Sequence, residues 1–529
     1  MRFRPILSEQ TRAFAQTPLT GWRQAILAAL SAGCFILMFP TFDVEWLAWA
    51  AFLPLFWAMR GVSATRAFWL GWLNGLLATL GTVYWVVVAM VAYGKMPLWL
   101  SLLLLLLMAA YLGLYVGLFA LLARWLLLRG PLLFLLGAPA IWTALEYTRS
   151  FFLFPFPWNY VGYSQYSTLI VAQIADMTGV YGVSFLILLV NAGVYAATLS
   201  NASRKARRTA LMAVAAALAL TVGYGAFALF FSEHAAAQQS ARTLNIAVVQ
   251  GNIDQNIKWN EDFREHILEK YLRLTRSVAQ QKPDMIVWPE TAVPFLFLYD
   301  RAPQQQMIDL ARELGIPLLF GGIDVTLTKG RRIEHSLNSA FLLSETGAII
   351  GKYDKIQLVP FGEYVPFAKL LFFVNRLTTA IGETKAGSSY EVMQANDSRF
   401  SVVICFESTF PNLVRKFVDR GAQFLVIMTN DAWYGRSSAA AQHFSMAAFR
   451  AIENRRAIAR AANTGISGFI DPFGRILEQS DIYEDDARVH AIPLRKATTF
   501  YTRHGDLFAW CCCAAAIAAT VFAKFGRVA

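Results

Sequence analysis

Charged side chains are scarce in this 529-residue chain: Asp, Glu, Lys and Arg make up 16% of it, where an average soluble protein has about 25%. The six histidines, His234, His266, His335, His443, His490 and His504, are scattered, and no HExxH stretch occurs. The usual sequence forms of a zinc site are therefore excluded. No glycine-rich phosphate loop is present, which removes the common nucleotide-binding forms. No segment of 20–50 residues repeats, so the chain is not a solenoid. Of five cysteines, Cys34, Cys511, Cys512 and Cys513 sit in apolar runs where a thiol packs as a small hydrophobe, and no disulfide framework can be built. We expect no metal and no dissociable cofactor. The net charge of +12 comes from Lys and Arg in short connections, with no aromatic-interleaved basic face, so no nucleic-acid partner is expected.

What the chain has instead is apolar length. Hydrophobic residues make up 56% of it and the mean hydropathy is +0.43, with the excess in the first 232 residues and the last two dozen. Eight stretches are candidates to cross a bilayer: 24–41, 46–59, 67–92, 97–128, 131–148, 168–199, 208–232 and 506–526. The second is short and contains Pro54. Positive charge sets an orientation. Arg2, Arg4, Arg12, Arg23, Arg60, Arg66, Arg124, Arg129, Arg204, Lys205, Arg207, Arg208, Lys524 and Arg527 fall on one side, and only Lys95 and Arg149 on the other. Both termini are expected in the cytoplasm, with the large stretch 233–505 outside it. The run Ser31-Ala-Gly-Cys34 resembles a lipoprotein processing site, but the apolar run continues through Met38, so a retained helix is expected. The connection 151–166, crowded with aromatics and broken by Pro155 and Pro157, reads as an interfacial aromatic belt. The functional alternative is a lipid-binding lip, with Glu146 and Arg149 as polar contacts or as a pair.

From residue 244 the pattern changes. Short β-rich runs at 245–250, 285–289, 317–323, 339–343, 401–405 and 424–429 alternate with helical patterns at 261–281, 303–314 and 439–462. This indicates one α/β domain. Three chain positions at or beyond apolar runs carry reactive groups: Glu290 after Ile286-Val-Trp-Pro, Lys355 and Glu363 in the stretch 353–364, and Cys405 after Val402-Val-Ile404. Cys405 is the only cysteine between the last two membrane segments, a thiol without a disulfide partner in its domain. Acyl transfer through a thiol needs a nucleophile, a proton carrier and an oxyanion donor. Cys405 suits the first role. Glu290 suits the second if apolar surroundings such as Trp288 raise its pKa. Lys355 suits the third together with the backbone N–H after Cys405. Glu363 and Glu407 either hold Lys355 or act as further proton carriers, and the residues alone leave both roles open.

The motifs WPE at 288–290, YDKIQLVPFGEYVP at 353–366, ICFES at 404–408 and TNDAWYG at 429–435 resemble the nitrilase superfamily. Joined to seven spans before them and one after, they make the whole chain similar to the apolipoprotein N-acyltransferase family of the bacterial inner membrane. The resemblance implies a polytopic helical membrane domain and a nitrilase-like αββα sandwich, divided into a membrane domain at 1–232, a periplasmic catalytic domain at 233–505 and a last helix with a short tail at 506–529. It implies Glu290, Lys355 and Cys405 as the catalytic set and Glu363 as an additional essential carboxylate. Trp259, Phe406 and Glu407 are implied near the acyl site or on loops around it, and Trp288, Asn430 and Trp433 lie within the matching motifs as supporting residues. Family members often have Tyr where Phe406 stands, which leaves a packing role there. The implied reaction moves an acyl chain from a phospholipid, through a thioester on Cys405, to the α-amine of a diacylglyceryl-cysteine on an apolipoprotein, with a monomeric enzyme in the inner membrane. A membrane-tethered amidohydrolase with water as acceptor, and a non-catalytic transporter or scaffold, are the alternative readings.

Overall fold

The computed structural model describes residues 19–199, 203–232, 242–328, 333–364 and 383–526. Arg2, Arg4, Arg12, Arg527, His234, the start of the expected outer domain at 233–241 and the 365–366 end of the longest motif lie outside them. Contacts divide the chain into two units: Met1–Tyr84 with Trp99–Phe227 and Asp506–Ala529, and Trp85–Leu98 with Ala228–Gly505. Residues 85–98 therefore cluster with the α/β unit, although they lie among the apolar stretches in sequence.

The first unit is helical. Among the described residues four helices are long and apolar enough to cross a membrane: Leu98–Arg129, Val180–Thr198, Arg204–Phe230 and Leu507–Phe525. Ala64–Thr82 and Val86–Tyr93, bent by 58° at their junction, add a fifth if they form one span. Gly21–Leu37 is apolar but shorter. The stretch expected to span at 46–59 is a turn of 3-10 helix, Glu45–Trp49, followed by the six-residue helix Leu53–Ala58. Such irregular backbone is tolerated in an apolar setting only when other groups satisfy it. Here Asn191 Oδ1 accepts from Phe52 N, Asn191 Nδ2 donates to Ala48 O, and Ser31 Oγ donates to Ala51 O at 2.6 Å. The expected sixth stretch is likewise in pieces, Leu169–Ala172, Ala175–Thr178 and Val180–Thr198, parted at Gly179 with φ 64°. Small residues bring two helices together: a Cβ on Gly75 would lie 2.8 Å from Gly113 Cα. That is the close approach expected where small residues face each other between membrane helices.

The aromatic connection 151–166 is only partly an exposed belt. Phe151, Phe152 and Leu153 are exposed, but Trp158, Tyr160 and Tyr163 are buried, with the two tyrosine rings stacked at 5.6 Å. Glu146 and Arg149 both fasten this loop's backbone. Glu146 Oε1 accepts from Val161 N at 2.7 Å and Arg149 Nη2 donates to Trp158 O at 2.9 Å.

The second unit is a sandwich of two sheets. One has the order β13-β1-β2-β3-β4-β5, with β6 beside β4, and the other β12-β11-β10-β9-β8-β7. The first strands are β1 (Thr243–Gln250), β2 (Met285–Val287), β3 (Leu318–Leu327), β4 (Ile333–Leu343), β5 (Ile349–Asp354) and β6 (Glu383–Thr384). They continue with β7 (Met393–Ala395), β8 (Ser398–Ile404), β9 (Phe424–Thr429), β10 (Ile458–Ala462), β11 (Gly468–Ile470), β12 (Ile476–Gln479) and β13 (Asp486–Pro493). Near-continuous apolar runs such as Val402–Ile404 suit strands buried on both faces. The two sheets meet at β1 and β10. Helices Arg264–Ala279 and Arg301–Leu314 cover the outer face of the first sheet, burying Ile267, Tyr271, Leu310 and Ala311 against Ala247, Ile286 and Phe320. Pro411–Asp419 and Ala439–Asn454 pair beside the second sheet.

The helix expected at 439–462 is a helix only as far as Asn454. Arg455 takes the left-handed conformation with φ 50° and ends it, and 458–462 is a buried strand parallel to β9. Alanine-rich sequence favours helix locally, but pairing along β9 overrides that preference.

Candidate active site

Glu290, Lys355, Glu363 and Cys405 are contributed by the ends of β2, β5 and β8 and the turn after β5. β2 ends at Val287, and Trp288 N donates to Leu319 O, so the chain stays against β3 through Pro289 and delivers Glu290 beyond the strand. Lys355 follows β5 directly and is placed by its N–H donating to Asn338 O on β4. Its ammonium lies 3.3 Å from Glu290 Oε1 and 2.9 Å from Glu363 Oε2. Asn338 Nδ2 donates to both carboxylates, at 2.7 Å to Glu290 and 2.9 Å to Glu363. Val359 N holds Glu363 Oε2, and Asn430 N holds Glu290 Oε2 at 2.9 Å. Both oxygens of Glu290 are thus oriented by neighbours. Burial opposes the Lys355 charge, but Glu363 and Glu290 together hold its pKa well above the ordinary value, so it is an ammonium.

Cys405 stands at the turn between β8 and the 3-10 segment Cys405–Thr409, with a left-handed φ of 52°. A non-glycine residue there is strained and is held by its surroundings. Ser408 Oγ donates to Cys405 O, and His443 Nε2 lies 3.1 Å from the same carbonyl. Behind His443, Asp431 Oδ1 meets Nδ1 at 3.0 Å, and Arg460 Nη2 meets Asp431 Oδ2 at 3.0 Å. Burial works against the Asp431 charge, yet Arg460 and His443 hold its carboxyl down at about 2. Burial and the Glu290 charge push the Cys405 thiol up, against the pull of Lys355. The resting group is the thiol, so any nucleophilic use of it would need a base to take the proton.

Glu407 is separated from Lys355 by its contacts. It is fully buried and turns back to accept from Ile404 N, Ile356 N and Gln357 N, and from the Tyr353 hydroxyl at 2.7 Å. It therefore clamps the end of β8 to the chain just after Lys355. Burial outweighs these donors and lifts its pKa to about 6.

Of the supporting candidates, Phe406 is buried and meets Phe410 edge-on at 5.1 Å, a packing role. Trp288 faces away from the carboxylates, into the layer between sheet and helices. It stacks on Tyr271 at 4.8 Å and donates Nε1–H to Thr275 Oγ1, so it does not line the site. Asn430 contributes through its backbone to Glu290, while its side chain links Gln255 and Asn463. Trp433 is 40% exposed and meets Tyr93 edge-on at 5.3 Å. Beside it, Tyr434 meets Trp85, whose Nε1–H donates to Gln442 Oε1. Trp259 is 41% exposed on the loop after β1.

Asn338, Asp431, His443, Arg460 and Lys258 were not singled out from sequence as site residues. Asn338 left only a weak trace there: a polar residue beside Ser339, just before the apolar run 340–343. His443 and Arg460 left none, because only the packing of Ala439–Asn454 and β10 near Cys405 brings them together. Among the described residues no group of three or more His, Cys, Asp or Glu is arranged to hold a metal ion.

The α/β unit is of the carbon–nitrogen hydrolase class, whose family model matches residues 245–501, and the apolipoprotein N-acyltransferase N-terminal domain model matches 31–193. The chain is 42% identical over 508 residues to the apolipoprotein N-acyltransferase of Geobacter metallireducens, covering 95% of this chain and 96% of that one. Those of Chlorobaculum tepidum and Pseudomonas aeruginosa are 32% and 33% identical, over 92% and 91% of this chain and 93% and 92% of theirs. A solved amidase from Nesterenkonia sp. AN1 aligns with 47% of this chain and 90% of its own, at 20% identity and a TM-score of 0.37. The chain belongs to the apolipoprotein N-acyltransferase family, a membrane branch of the nitrilase superfamily.

Proposed function

We propose that the protein N-acylates apolipoproteins through a thioester on Cys405. The observation that carries this reading is the meeting of buried Glu290 and Lys355 with the partly buried Glu363 beside a strained, buried cysteine. Glu290 takes the thiol proton as Cys405 Sγ attacks the ester carbonyl of a phospholipid. Lys355 stabilises the forming thiolate and, with the N–H of Phe406, the oxyanion. The carbonyl re-forms, the lysophospholipid leaves as its oxygen takes the proton from Glu290, and the acyl chain stays on sulfur. The α-amine of a diacylglyceryl-cysteine then attacks the thioester, Glu290 takes the amine's proton, and the Cys405 sulfur leaves and is reprotonated. The thioester is more reactive than the ester it comes from, but amide formation makes the sequence downhill overall, so no nucleotide is consumed. Glu363 keeps Lys355 charged and placed.

We place the protein in the bacterial inner membrane with residues 233–505 on the periplasmic side, both termini in the cytoplasm and the enzyme a monomer. The positive-charge asymmetry of the connections supports the orientation. The test is incubation of purified protein with phospholipid and a diacylated lipopeptide. N-acylated peptide, with an acyl adduct on Cys405 when the peptide is left out, is the expected result. Free fatty acid as the main product would show water to be the acceptor.

A further inference from the structure

One ammonium between two carboxylates, buried Glu290 and partly buried Glu363, leaves the cluster with more carboxylates than cations where water is scarce and charge imbalance is expensive. A second buried lysine stands directly behind it. Lys258, on the loop after β1, is 1% exposed, and its Nζ donates to Thr291 Oγ1 at 2.8 Å and toward the backbone oxygen of Glu290 at 3.4 Å. Both partners are uncharged oxygens, so no carboxylate contact explains why a lysine is buried here. Burial lowers its pKa to about 8, and the Glu290 charge offsets part of that fall, so the ammonium still predominates at neutral pH. The turn it touches needs holding, because Thr291 is a β-branched residue with φ 46°. The loop that carries Lys258 is fixed at its base by Asn252 N and Ile253 N, which donate to Asn463, and by Gln255, which accepts from Asn430. Its next residue is the half-exposed Trp259.

We propose that Lys258 is a positioning residue for Glu290, supplying the second positive charge of the buried cluster and locking the Glu290–Thr291 turn to the loop that carries Trp259. This rests on the reading of Glu290 as the base. Lys258 acts through Glu290 and touches no reacting atom. Its loss slows proton removal from Cys405 and leaves phospholipid binding in place.

The experiment compares wild type, Lys258→Met, Lys258→Arg and Thr291→Ala in detergent with a defined phosphatidylethanolamine. It follows thioester formation by intact-protein mass spectrometry over a range of lipid concentrations, and the rate of Cys405 alkylation by iodoacetamide. Lys258→Met is expected to slow thioester formation at saturating lipid at least tenfold with the half-saturating lipid concentration within twofold of wild type, and to slow alkylation in parallel. Lys258→Arg is expected to recover most of the rate, and Thr291→Ala to slow it severalfold. Should Lys258→Met fail to fold, the Lys258→Arg and Thr291→Ala rates decide. A Lys258→Met rate within twofold of wild type, a loss expressed only as weaker lipid binding, or unchanged rates for Thr291→Ala overturn the proposal. Wild-type protein that forms no thioester overturns the reading of Cys405 and Glu290 instead, and the alkylation rates then still report whether Lys258 shapes the thiol's surroundings.

Discussion

Cys405 and Glu407, two residues apart, have opposite tasks, and substitutions should separate them. Burial and Glu290 keep the Cys405 thiol protonated at rest, so the proposed attack depends on a base. Glu290→Gln is expected to slow thioester formation by roughly 10²–10⁴-fold, the range of a lost general base, while the protein stays folded. Intact-protein mass spectrometry against thermal unfolding reads both. Glu407 answers to pH instead. Its folded pKa of about 6 lies above the ordinary carboxyl value of 4.5, so the stability it contributes is full below about 4.5 and is lost as pH rises through about 6. At about 1.36 kcal/mol per unit the difference is about 2 kcal/mol. The fall in unfolding temperature between pH 5 and 7 should therefore be shallower in Glu407→Gln than in wild type. Asp431 has the reverse sign. With its carboxyl held at about 2, its contribution is present above about 4 and lost as pH falls toward 2. Asp431→Asn should therefore flatten the acid limb of stability.

Among the elements, β3 decides where Glu290 sits. Gly321 N donates to Pro289 O, and Val293 N donates to Gly321 O, so the turn carrying Glu290 lies directly on the strand. A Cβ on Gly321 would come within 2.8 Å of Glu290 Cα and 2.5 Å of Thr291 N, both backbone atoms with little room to retreat. Gly321→Ala should displace the carboxylate by a fraction of an ångström to an ångström and lower the acylation rate by about a hundredfold, the scale of such misplacement. Near-native near-ultraviolet circular dichroism, with the rate lost, would distinguish this from unfolding. The strands bearing Glu290 and Cys405 were legible from their β-branched runs and the motif residues at their ends. The strand at 458–462 was not, because alanine-rich sequence carries no period of two and its partner β9 lies some thirty residues away.

On the scale of the whole chain, the charge asymmetry of the connections makes an experimental claim. Single cysteines introduced at Ser63, in the connection beside Arg60 and Arg66, and at Lys95 should differ in a cysteine-free background. The first should be protected from, and the second labelled by, a membrane-impermeant maleimide added from the periplasmic side. Equal labelling would overturn the orientation. The broken elements limit any count of spans from hydropathy. The stretch 46–59 is apolar throughout, yet Asn191 and Ser31 satisfy its irregular backbone from two other helices, an arrangement that a sliding window cannot register.

The sequence by itself determined the membrane character, the α/β nature of the stretch from residue 244, the family and the candidates Glu290, Lys355, Cys405 and Glu363. Each of these is carried by local composition or by a contiguous motif. Tertiary structure alone decided that Glu290 and Glu363 both touch Lys355, that Glu407 clamps backbone, that Trp288 faces the helix layer, and that Asn338, His443, Arg460 and Lys258 surround the site. The physical reason is separation along the chain. Asn338 lies 48 residues from Glu290 and 25 from Glu363, and His443 lies 38 from Cys405. Only strand pairing within the first sheet, and the packing of helix Ala439–Asn454 against the turn after β8, turn such distances into hydrogen bonds.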